Sequence, residues 1–148
     1  MTNYQRTAAW LTACGKKPSV ATLSTQIGVD LEEYTEYLRC LRVDSDGWQR
    51  VLERAIIDLH CLADEIKRGK RIAHIPNHLR VNALDALCDR EVTGNGVAFL
   101  SGMDKDGADQ EVLGTNDVKL VDGKPVILEG GKIGKPPGWA PPNLTPFV

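Results

Sequence analysis

The chain of 148 residues has no apolar run longer than a few residues, so it offers no segment able to span a bilayer. It has no basic excess either. Its 18 Lys and Arg face 20 Asp and Glu, a formal net charge of −2, which argues against a dedicated nucleic-acid binder. The N-terminus, "MTNYQRTAAWLTACGKK", lacks the basic-then-apolar order of a signal peptide. No C-x-x-C pair occurs; Cys14, Cys40, Cys61 and Cys88 are widely spaced, and reduced, buried thiols in a bacterial-type cytoplasm are expected. There is no G-x-x-x-x-G-K-[ST], which removes a P-loop mechanism. His60, His74 and His78 show no ligand spacing with the cysteines, which argues against zinc. "DKDGADQE" at 104–111 fails as a calcium loop, because its glycine is fourth instead of sixth and Thr115 stands where a glutamate is required.

What is present is a helical pattern within one domain's length. Residues 3–13 read as a short helix ended by Gly15. Ser19 or Ser24 caps a second, running through Leu41, with Ile27, Leu31, Tyr34, Leu38 and Leu41 as its packing stripe. A third covers about Trp48 to Lys67 and closes at Gly69. A fourth starts in "HIPNHL", with Pro76 near its first turn and Leu79, Ala83, Ala86 and Leu87 on its buried face. Gly94, Gly96 and Gly102 mean that this helix either packs closely there or breaks. A short fifth helix is expected over 107–114. After Leu120 the chain carries six of its eight prolines and five glycines, with a hairpin expected around Asp122-Gly123. The expected fold is therefore all-α, a four- to five-helix bundle over 1–120 with an extended Pro/Gly-rich C-terminal arm over 121–148 belonging to the same domain.

Two acidic clusters stand out. Taking ~100° per residue, the Ile27–Leu41 stripe centres near 0°, while Glu32, Glu36 and Glu33 fall at about 140°, 180° and 240°. On geometry alone that outward face is a solvated one. Asp85 and Asp89, four apart, share an edge with Asn82 and repel each other mildly, which a divalent cation would relieve. Carboxylates on two helices are the hard ligands that Mg²⁺ or Mn²⁺ prefers, and Mg²⁺ commonly binds substrate phosphates.

These residues resemble a known family. "LEEYTEYL" resembles the E-E-x-x-E helix of MazG-like nucleotide pyrophosphohydrolases, and "NALDALCD" their second acidic helix. "TNDVKLVDGKPV" followed by "EGGKIGKPPGWAPPNL" is similar to the C-terminal signature of short, phage-type members. The resemblance implies hydrolysis of a nucleoside triphosphate, or a related nucleotide, to monophosphate and pyrophosphate. It implies Glu33, Glu36, Asp85 and Asp89 as metal ligands, with Glu32 beside them ligating or positioning water. It also implies Asn116 and Lys119 as nucleotide contacts, with Lys124, Lys132 and Lys135 as further cations in the arm. Lys124 is placed with the substrate-binding residues. Many relatives carry a glutamate where this chain has Asn82 or Ala86, which bears on the number of metals and on turnover.

The sequence thus leads to a Mg²⁺-dependent (or Mn²⁺-dependent) nucleotide pyrophosphohydrolase, cytoplasmic in a bacterial or phage-infected cell, a homodimer or homotetramer, with no membrane and no dedicated nucleic-acid partner. The alternative is a nucleotide-sequestering or host-interacting protein on the same fold that has lost turnover. Glu53, Asp58 and Asp64 are ranked as surface charges. Trp10, Trp48 and Trp139 are read as packing residues, with Trp139 the one placed to cover a base.

Overall fold

Hydroxyl caps set the first two helices. In the computed structural model, which describes residues 1–127 and 133–148, the Thr2 hydroxyl accepts from the Gln5 amide at 3.2 Å while the Thr2 amide donates to Gln5 Oε1 at 2.9 Å. This reciprocal box starts α1 (Asn3–Ala13). Ser19 and Thr22 form the same arrangement at the start of α2 (Val20–Arg39). Then come α3 (Asp46–Lys67), α4 (Arg80–Leu100) and α5 (Lys105–Asp117). A two-stranded hairpin follows, β1 (Leu120–Val121) against β2 (Lys124–Pro125). Asp122 and Gly123 both have positive φ, 51° and 73°, the geometry expected of a Asp-Gly hairpin turn. The described residues are mostly helical, and the fold class is all-α.

The chain divides into two compact units, Pro18–Asn77 and Met1–Lys17 with His78–Val148. In the first, α2 and α3 pack as a helical hairpin. The packing face of α2 differs from the expected stripe: Ser24, Gly28, Thr35 and Leu38 are its buried residues, and Tyr34 is exposed. That face lies roughly 60° round from the stripe's centre, towards Glu32. The reason is size. A Cβ on Gly28 would lie 3.0 Å from the Lys67 amide nitrogen and 3.1 Å from the Ala63 carbonyl oxygen, so the backbones meet where no side chain intervenes. Two of the most deeply buried side chains are polar, and both are satisfied. Thr35, 0% exposed, donates its hydroxyl to the Glu32 carbonyl, and Ser24, 1% exposed, accepts from the Ala73 amide.

In the second unit, α1 lies along α5. The Arg6 guanidinium holds Asp117 at 2.6 Å and Gln110 at 3.0 Å, and the Trp10 indole donates to the Asn116 carbonyl at 2.8 Å. The C-terminal segment runs against α5 in the opposite sense. Trp139 donates to the Thr115 carbonyl, the Asn143 amide to Glu111, and the Asp104 amide to the Phe147 carbonyl. Gly107 makes room for this, since a Cβ there would stand 2.6 Å from the Phe147 ring.

Helix α4 departs from expectation twice. It runs unbroken through Gly94 and Gly96, where added Cβ atoms would meet nothing within 4 Å, so close packing does not explain those glycines. Its expected buried face is also largely uncovered: Leu79, Ala86 and Leu87 are exposed, and Ala98 is its buried residue. Periodicity reports that a face is apolar and cannot report what covers it. The helix begins later than Pro76, after a 3₁₀ turn at Asn77–Leu79. All four cysteines are free, as expected, but Cys14 is buried while Cys40, Cys61 and Cys88 are exposed.

Candidate functional site

Three acids lie within little more than one turn of α2. Glu32 borders the packed face and is half-buried, and the Lys67 amine of α3 meets its Oε2 at 2.5 Å. Lys67 was not legible as a site neighbour; it arrives through the Gly28 contact. Glu33 and Glu36 are exposed. The Glu33 carboxyl is nonetheless partly desolvated and its pKa is raised, first by that desolvation, then by Glu36 and Glu32, against the lowering effect of Lys67. The turn therefore carries three acids, with Lys67 engaged by the first.

Asp85 and Asp89 occupy one exposed edge of α4, with Asn82 also exposed. They belong to the unit of α1, α4 and α5, whereas Glu32, Glu33 and Glu36 belong to that of α2 and α3. Among the described residues no group of three or more His, Cys, Asp or Glu side chains is gathered closely enough to hold a metal. Glu53, Asp58 and Asp64 behave as surface charges. Asp58 pairs with Arg54 and Asp64 with Arg68 along α3, and Glu53 accepts from Gln49.

The predicted nucleotide contacts are brought together in part. Asn116, in the last turn of α5, accepts from Lys119 at 2.8 Å. Lys124 is exposed on β2, and Lys132 lies outside the described residues. The Lys119 amine is 5.4 Å from the centroid of the Trp139 ring, and Lys135 stands 4.2 Å from the same centroid. The Lys119 pKa is lowered, chiefly by desolvation and then by Lys135, with Cys14 acting the other way. The sequence marked Lys135 only as one tail lysine among three; the turn at Pro136–Trp139 brings it to the ring. A separate cleft of about 370 Å³, bordered by Asn3, Glu91, Asn95, Phe99 and Asp104, contains none of the predicted site residues.

Comparison with protein-family models, with curated proteins and with solved structures finds no match to this chain. No described helix is long and apolar enough to cross a membrane.

Proposed function

We propose that the protein is a Mg²⁺-dependent nucleotide pyrophosphohydrolase of MazG-like type, with the C-terminal segment as an extended arm over its helical body. The observation that carries this is the acidic turn of α2, where Glu33 and Glu36 stand beside a Glu32 already paired with Lys67. Glu33 and Glu36 would hold the metal, and the same reading takes Asp85 and Asp89 of α4 as further ligands. Mn²⁺ suits the same donors. When bound, the ion supplies polarisation of the phosphoryl oxygens and a more acidic water.

The chain's own residues do the rest. Glu32, its position fixed by Lys67, orients the attacking water and accepts its proton. Water oxygen bonds to the α-phosphorus as the bridging oxygen to the β-phosphorus leaves, giving the monophosphate and pyrophosphate. Asn116 and Lys119, with Lys124, hold the phosphates and offset the charge that develops on the leaving group. The exposed apolar side chains of α4, among them Val81, Leu84 and Val92, support a homodimer or homotetramer; the resemblance alone implies a bacterial or phage-infected cytoplasm.

The test is pyrophosphate release from a panel of nucleoside triphosphates with Mg²⁺ or Mn²⁺. Glu36→Gln and Asp89→Asn are expected to abolish release while the helical circular-dichroism signal stays intact. Unchanged release in both overturns the site. A second reading, nucleotide binding without turnover, is favoured by Asn82 on the α4 edge. It requires nucleotide-dependent thermal stabilisation with no product formed on prolonged incubation.

A further inference from the structure

The indole of Trp139 is pinned to the end of α5 by its N–H, which donates to the Thr115 carbonyl at 3.0 Å. Two ammonium groups lie over the ring, Lys135 at 4.2 Å and Lys119 at 5.4 Å from its centroid. Two like charges around one ring repel. The ring quadrupole compensates each charge only in part, and by less than a bound carboxylate would. Among the described residues neither amine forms an ion pair with a carboxylate. Lys119 gives one of its three protons to Asn116 Oδ1, and that contact aims the amine while leaving two donors free. Among the described residues, the arrangement is a pair of cations without a carboxylate partner.

We propose that Lys119 and Lys135 clamp the polyphosphate chain of the nucleotide between them, with Trp139 as the positioning residue that holds the two amines in place. The proposal rests on the nucleotide reading above and extends it to Lys135 and Trp139. Two separate ammonium groups suit a ligand whose negative charge is spread over successive phosphoryl groups better than a compact anion. A flexible lysine contributes as a point charge, so phosphate number, and not base identity, is what the clamp measures.

The test uses the full chain in EDTA at low ionic strength, with linear inorganic tripolyphosphate titrated by calorimetry and sulfate as the compact-anion control. Tripolyphosphate is expected to bind at least ~10-fold more tightly than sulfate. Lys135→Gln and Lys119→Gln should each weaken it by ~10-fold or more, and Lys135→Arg should restore most of the loss. Trp139→Leu should weaken binding with both lysines present, the signature of positioning. Lys70→Gln, the same charge change at an amine paired with Glu65, should leave affinity unaltered. Equal affinity for sulfate, or wild-type affinity in Lys135→Gln, overturns the clamp. The two readings fail separately. Tripolyphosphate binding lost in Lys135→Gln, without hydrolysis of any nucleotide, keeps the clamp and removes the hydrolase. Hydrolysis whose KM is indifferent to Lys135→Gln does the reverse.

Discussion

The Lys67 amine at the end of α3 meets the Glu32 carboxylate of α2 one turn along from Gly28, the residue on which the two helices touch. The ion pair and the glycine are parts of one contact. Remove the close approach and the lysine no longer reaches the acidic turn.

That coupling is testable at Gly28. In Gly28→Val, the new side chain meets the Lys67 backbone and the Ala63 carbonyl as well as the Lys67 side chain. Overpacking of this kind costs about 1–3 kcal/mol, more than the ~1 kcal/mol that replacing a helical glycine returns. The melting temperature should fall, and the Lys67 side chain should lose its fixed resonance position. A variant as stable as wild type would remove the close contact from the account.

Glu33 predicts a pH signature. Its folded-state pKa is raised, so between the unfolded and folded values the native state holds the proton more readily. Stability from this group is then greatest below the unfolded value and falls as pH rises through the window. Glu33→Gln removes the penalty. It should melt higher than wild type at pH 7, by less than about 1 kcal/mol because the side chain faces solvent, and converge with wild type below about pH 4. Mg²⁺ should stabilise the wild type at pH 7 and leave Glu33→Gln unchanged. Lys67→Met should raise the Glu33 titration further, since Lys67 is the cation that lowers it.

The glycines of α4 and α5 predict opposite outcomes. At Gly107 a side chain would strike Phe147 and the Asp104 cap, so Gly107→Val should cost about 1–3 kcal/mol and speed hydrogen exchange at the Asp104 amide. At Gly94 the space is open, and Gly94→Ala should stabilise by up to ~1 kcal/mol. Thermal melts of both, with exchange at Asp104, check the pair.

Helix positions were legible because capping and periodicity are local. The first helix was expected at 3–13 and spans Asn3–Ala13; the third was expected from Trp48 and starts at Asp46. The fifth, expected at 107–114, extends to Lys105–Asp117 because Asp104 caps it through the Gly107 amide. The hairpin followed from Asp122-Gly123. Which face of α2 is buried was not legible. Large apolar residues mark a stripe in sequence, but small ones allow the closer approach, and Ser24, Gly28 and Thr35 carry no hydrophobic signal.

By itself, then, the sequence determined an all-α chain and the acidic turn at Glu32, Glu33 and Glu36, because each depends on residues within a few positions of one another. Tertiary structure alone decided that Lys67 answers Glu32 and that Lys135 joins Lys119 at Trp139. Those partners are distant in sequence, and charges so separated meet only where backbone contacts bring them together.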